Sequence, residues 1–197
     1  DDIARLYENS VRAKQEFPDK SSLFRYCVAL GRYSQSPLLE YINMKDDVTS
    51  VFFYRFQHLL SNDRLKEAIT TAFVDIVNLV GVEINRAIRE SYYASCLQYV
   101  AGLGPRKASG LLQSIQTKSS SGLVNRQQLI TSQLTSKTIF LNCASFLKFT
   151  ETVNGRYADE ADVLDETRIH PEDYTLAIKM AADALELDEE DIDDLEK

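Results

Sequence analysis

Apolar residues recur at three- and four-residue steps through most of this 197-residue chain, the spacing of helices that bury one face. Leu65, Ile69, Ala72, Phe73, Ile76, Val77 and Val80 predict one long amphipathic helix. Asn62 or Asp63 is placed to cap its start and Gly81 to end it. Ile84, Ile88, Tyr92, Cys96 and Val100 continue at four-residue steps into Gly102-Leu103-Gly104, and Ala108, Leu111, Leu112 and Ile115 form the stripe of a further helix opened by Pro105. A second helical pair is expected from Arg126 to Ile130 and from Ser136 to Leu147, with Ile139, Phe140, Cys143, Phe146 and Leu147 inward. Its turn, Gln133 to Lys137, has Leu134 where the first turn has Leu103 but no glycine, and reads as a degenerate second copy. Lys118 to Gly122 reads as a flexible connector.

Upstream, Ser21 to Asn43 predicts two helices broken at Ser34-Gln35-Ser36-Pro37, and the β-branched and aromatic Val48 to Phe56 predicts a single strand. Downstream, Glu151 to Arg168 is polar and irregular. Pro171 then opens a helix with Tyr174, Ala177, Ile178, Ala181 and Leu185 on one face, and Leu187 to Lys197 is an acidic end. The fold class is mostly α.

Charge changes this picture. The net charge is −8, yet residues 151–197 hold 17 acids and 4 bases, whereas Ser91 to Thr150 hold no acid and six Lys or Arg. With 30 acids in the whole chain, roughly nine would fall in such a window by chance, so this is a surface kept free of groups that repel a polyanion. The glycine hairpin sits inside it. Gly102 and Gly104 can take backbone conformations closed to other residues and let N–H groups approach a phosphate, and the helix starting near Pro105 adds its positive end. Leu103 plugs the hairpin, Arg106 and Lys107 lie in the first helical turn, and Lys137 at the second turn ranks below them. Contacts of this kind go to the nucleic-acid backbone without reading bases. Gly-Leu-Gly can equally be a tight helix connection.

Cys27, Cys96 and Cys143 lie apart in apolar runs, as buried free thiols do, and neither His58 nor His170 has a partner at zinc-ligand spacing. No cofactor, metal or small-molecule substrate is expected. No run approaches the ~18 apolar residues of a membrane helix, so no membrane partner is expected. The opening Asp1-Asp2-Ile3-Ala4 lacks a signal layout and an initiating Met, which reads as an excised or processed piece.

The string Val77 to Ala87, followed by Tyr99-Val-Ala-Gly-Leu-Gly-Pro-Arg-Lys-Ala108, resembles the Tex family. Arg55 to His58 is similar to the family segment ahead of the long helix. Leu134 to Leu147 looks like the second hairpin of the eukaryotic, suppressor-of-Ty branch of elongation factors and histone chaperones, and His170 to Leu187 resembles the start of its death-like domain. The resemblance implies three parts: residues 1–60 as the α/β C-terminal end of an RNase H-like (YqgF-type) domain, 61–150 as a long helix and tandem helix-hairpin-helix domain, and 151–197 as an acidic linker and the start of a death-like domain. It further implies a nuclear protein acting in transcription elongation with RNA polymerase II, binding DNA, possibly RNA, and histones, and restoring nucleosomes in chromatin. Arg86, and the aromatic stretch Val51 to Phe56, depart from the family pattern.

Catalysis is not expected. A helix-hairpin-helix glycosylase needs an Asp downstream of its hairpin, and here the first acid after Gly104 is Glu151. Asp19, Glu40, Asp46 and Asp47 are the available carboxylates for an RNase H-like metal site, but Asp46 and Asp47 are adjacent in an expected loop. The leading reading is a sequence-independent nucleic-acid-binding module. The alternative is a protein-interaction scaffold, binding histones or elongation-complex proteins, in which the hairpins are structural connectors.

Overall fold

A computed structural model describes residues 1–119, 122–150 and 162–186, so part of the expected connector at 118–122, most of the polar stretch 151–168 and the acidic end 187–197 lie outside the described residues. Four helices open the chain: α1 (Asp2–Asn9), α2 (Val11–Glu16), α3 (Ser22–Gln35) and α4 (Pro37–Asn43). Serine punctuates them. The backbone N–H of Ser10 closes α1 on the Tyr7 carbonyl at 2.9 Å while its hydroxyl accepts from Ala13 N at 3.1 Å, and Ser21 caps α3 in the same way. The break before Pro37 falls where it was expected.

The expected strand at 48–56 does not form. Lys45–Ser50 is a 3₁₀ turn and the residues after it are irregular, and among the described residues no neighbouring strand offers them a ladder. One side chain takes the ladder's place. Gln57 accepts from the Phe53 N–H at 3.0 Å and donates to the carbonyls of Thr49 and Val51, each at 2.9 Å.

Helix α5 (Asn62–Val80) is the long helix expected and ends at Gly81, but its N-cap is Ser61 rather than Asn62 or Asp63, and of the expected inward stripe Phe73 and Val77 are buried while Ala72, Ile76 and Val80 are exposed. Beyond it the four-residue pattern proves discontinuous. Strand β1 (Val82–Glu83), α6 (Ile84–Arg89), α7 (Ser91–Ala94) and a 3₁₀ turn at Ser95–Tyr99 replace a single helix, with Glu90 extended between α6 and α7. Ile84, Cys96 and Val100 are nonetheless buried, so their spacing reflects a shared core rather than one continuous helix. Arg86 lies over the Tyr93 ring at 4.3 Å and pairs with Glu90 at 2.9 Å.

The two helical pairs follow as α8 (Gly104–Lys118), α9 (Gln128–Thr131) and α10 (Lys137–Cys143), the last running through a 3₁₀ turn into β2 (Leu147–Lys148). Strands β1 and β2 pair in parallel, Val82 opposite Leu147 and Glu83 opposite Lys148, which draws the two ends of the hairpin region together. The buried Glu83 carboxylate reinforces this, accepting from the N–H and hydroxyl of Thr150 at 2.7 and 2.6 Å and from Asn85 N at 3.2 Å. One apolar core runs from Ile3 to Phe149, so the opening helices and the hairpin region share an interior.

Helix α9 starts two residues later than expected, at Gln128, whose N–H is taken by the Asn125 side chain at 3.0 Å, and Arg126 just before it is wholly buried. Its guanidinium donates to the carbonyls of Leu147, Ile169 and Thr167 and to the Tyr174 hydroxyl, and its backbone N–H donates to Asp165 at 2.7 Å. The segment that leads into α11 (Tyr174–Leu185) is thereby fastened to the hairpins. Within α11, Ala182 is buried and Tyr174, Ala177 and Ile178 are half-buried, but Ala181 and Leu185, expected inward, are exposed. Cys96 and Cys143 are buried as expected, whereas Cys27 is exposed on α3.

Candidate nucleic-acid interface

The first hairpin is built from the long helix outward. Asn78, within the apolar run Ile76 to Val80, accepts from the Ala101 N–H at 3.0 Å and donates to the Tyr99 carbonyl at 3.2 Å and to Val74 O at 2.7 Å. The Tyr99 ring meets Phe73 edge-on at 5.3 Å. Thus α5 holds the incoming arm by one amide and one ring. Sequence reasoning missed Asn78; an amide within an apolar run was the available signal.

The turn then needs its glycines. Gly102 and Gly104 have φ of +83° and +73°, and Leu103 between them is buried at 5% exposure, closing the turn with its N–H on the Val100 carbonyl at 3.1 Å. A side chain at Gly102 would bring its Cβ to 2.6 Å from that of Asn142 on α10, whereas Gly104 has nothing within 4 Å of such a Cβ. Gly102 is therefore fixed by packing as well as by conformation.

Helix α8 begins here without a side-chain cap, so its first-turn N–H groups have no intrahelical partner. Pro105, Arg106 and Lys107 are exposed around it. Lys107 folds back to donate to the Gly102 carbonyl at 3.0 Å, which sets its ammonium over the turn. Burial pushes the Cys143 thiol up to about 11 against the opposing pull of the Lys107 charge. The combination is a positive helix end with open backbone donors and two exposed cations, which can receive a phosphate without any group that reads a base.

The second turn keeps the shape without the glycines. Gln133 takes the left-handed conformation at φ +51°, and Leu134 is buried at 7%, its N–H bonded to Leu129 O at 3.0 Å. Lys137 is exposed at the first position of α10, whose N-cap Ser136 accepts from Ile139 N at 3.4 Å, so this helix end is already capped. Lys137 stands roughly 7.5 Å of helical rise from the Asn142 that meets Gly102. The structure thus brings Gly102, Leu103, Gly104, Arg106 and Lys107 together at one turn and places Lys137 at a separate one. Among the described residues no cluster of His, Cys, Asp and Glu could hold a metal ion, and no helix is long and apolar enough to cross a membrane.

Comparison with known proteins meets this geometry. Residues 46–150 match the helix-hairpin-helix motif family, and residues 1–45 match the family described as Holliday-junction resolvase-like of SPT6. The chain is 56% identical over 191 residues to transcription elongation factor SPT6 of Candida albicans, covering 96% of this chain and 14% of that protein. Against transcription elongation factor SPT6 of Saccharomyces cerevisiae it is 52% identical over 200 residues, covering all of this chain and 14% of that protein. Against transcription elongation factor spt6 of Schizosaccharomyces pombe it is 50% identical over 196 residues, with the same coverage. The chain therefore spans about one seventh of the length of these relatives.

Proposed function

Because the chain belongs to the SPT6 family of transcription elongation factors, we propose that it is a non-catalytic, nucleic-acid-binding part of such a factor, holding DNA or RNA by backbone phosphates at the first hairpin. One observation carries this reading: two left-handed glycines open onto an uncapped helix start, with Arg106 and Lys107 exposed in a stretch of 60 residues without an acid. Gly102, Leu103 and Gly104 shape the turn, Arg106 and Lys107 supply charge, and Lys137 contributes at the margin. The binding is sequence-independent, as contacts to phosphate are. In the whole protein this part works in the nucleus with the RNA polymerase II elongation complex and with histones.

Fluorescence anisotropy with labelled duplex and single-stranded DNA and RNA across a salt series tests the reading. Affinity is expected to fall steeply with salt, and Arg106→Glu/Lys107→Glu is expected to abolish duplex binding while circular dichroism stays native. Binding indifferent to these substitutions, or none at all, would leave the hairpins as helix connectors in a protein-binding scaffold, the reading that the glycine-less and capped second turn favours.

A further inference from the structure

The aromatic stretch Phe52 to Phe56 lies on the surface. Phe52, Tyr54 and Phe56 are 70%, 64% and 49% exposed, although burying such a ring is ordinarily worth about 1.5–3 kcal/mol. They are held there by a built loop. The Gln57 amide, with its bonds to Phe53 N and to the carbonyls of Thr49 and Val51, fixes the backbone from within, and Phe53 turns back to lean on Tyr41 at 5.8 Å. Phe52, Tyr54 and Phe56 face outward without such a support, and Phe53 itself stays 48% exposed.

Charge indicates what meets them. Residues 48–62 contain no acid. Arg55 stands between Tyr54 and Phe56, is exposed, and makes no ion pair among the described residues; its guanidinium lies 5.5 Å from the Phe56 ring. Tyr54 and Phe56 meet edge to face at 5.7 Å with 69° between their planes, so the edge of one ring takes one face of the other and the opposite faces stay outward. The neighbouring Asp46 is engaged by Lys66. Exposed rings interleaved with a guanidinium that lies over the Phe56 ring and has no ion-pair partner among the described residues are the chemistry that receives unpaired bases, rings against bases and cation against phosphate. A purely apolar protein partner would leave Arg55 without a counter-charge.

We propose that Phe52, Tyr54 and Phe56 with Arg55 form a stacking platform for single-stranded nucleic acid, separate from the phosphate-binding hairpin. The hairpin takes backbone whether or not bases are present; the platform requires the bases.

An abasic strand of the same length and charge separates the two. The intact chain is expected to bind a base-bearing single strand about tenfold more tightly than the abasic one. Phe52→Ala/Tyr54→Ala/Phe56→Ala should remove that preference and leave duplex affinity unchanged. The Arg106→Glu/Lys107→Glu variant should do the reverse, losing the duplex while keeping the preference for bases. A 2-aminopurine reporter in the strand should be quenched by the intact chain and not by the triple variant, and parallel DNA and RNA strands identify which nucleic acid is taken. Because all three rings are exposed, thermal unfolding of the triple variant should match that of the intact chain. Equal affinity for abasic and base-bearing strands, or a preference that survives the triple variant, overturns the proposal and assigns the exposed rings to a protein partner.

Discussion

Gly102 and Asn142 fit together because one of them has no side chain: the Cβ that any other residue would place at 102 lies 2.6 Å from the Cβ of Asn142. This contact presses the first hairpin against the helix that follows the second. The two hairpin glycines should consequently differ when changed to alanine. Gly104→Ala meets only the left-handed backbone penalty, about 1–2 kcal/mol, because the space around it is open. Gly102→Ala meets the same penalty plus overpacking of about 1–3 kcal/mol. Urea unfolding of the two variants checks the order, and equal losses would mean that α10 yields freely.

Asn78 makes a second prediction. Replacing it with leucine keeps the volume but leaves the Ala101 N–H and Tyr99 carbonyl without their partner, at about 1–3 kcal/mol. Nucleic-acid affinity should also fall although Asn78 lies on α5, behind the turn, because the arm leading into Gly102 loses its tether. Urea unfolding and anisotropy on the same sample read both effects, and Asn78→Asp should retain the bond to Ala101 N while losing the one to Tyr99 O.

Acid sensitivity should trace to Glu16. Burial would raise its pKa, but hydrogen bonds from Tyr7, Arg32 and Arg12 more than offset this and hold it down to about 2. A carboxylate with a depressed folded pKa contributes stability that is complete above its unfolded value, near 4.3, and is lost as pH falls from there toward 2. The urea midpoint should decline over that window in the intact chain, and Glu16→Gln should flatten the decline while lowering the plateau at neutral pH.

The three thiols should separate by reactivity. Burial pushes Cys96 up to about 12 and Cys143 up to about 11, leaving almost no thiolate at neutral pH, while Cys27 is exposed. A thiol reagent on the folded chain should therefore modify Cys27 alone, with Cys96 and Cys143 following only on unfolding. Mass spectrometry of the digested adduct locates the label.

What could be read from the sequence was what neighbours in sequence decide. Pro37 ends one helix and starts the next, Gly81 stops α5, and Gly102-Leu103-Gly104 turns into a Pro-started helix, all by backbone rules that act within a few residues. Other features depended on residues far along the chain. Val48 to Phe56 has the composition of a strand but no strand beside it among the described residues, and Gln57 takes up its carbonyls at Thr49 and Val51 instead. The even spacing from Ile84 to Val100 marks burial but conceals the break at Glu90. Cys27 lies in an apolar run whose helix presents that side outward. At the site, the glycines and cations were legible, whereas the Asn78 tether and the Asn142 contact came from elements 24 and 40 residues away in sequence.

The wholly buried Arg126 also bears on where this region ends. Nothing in the hairpins supplies its counter-charge; Asp165 does, across 3.8 Å, with Tyr174 and three later carbonyls completing its shell. Thr150 closes the matched helix-hairpin-helix span in sequence but not in electrostatics. A chain stopped there would keep every hairpin residue but lose the carboxylate, the hydroxyl and the three carbonyls that hold Arg126 from beyond Thr150, and would open the face they cover to solvent. The smallest piece that can hold the hairpins at full stability therefore runs on through Tyr174: the stretch after Thr150 serves the hairpins as an internal counter-ion.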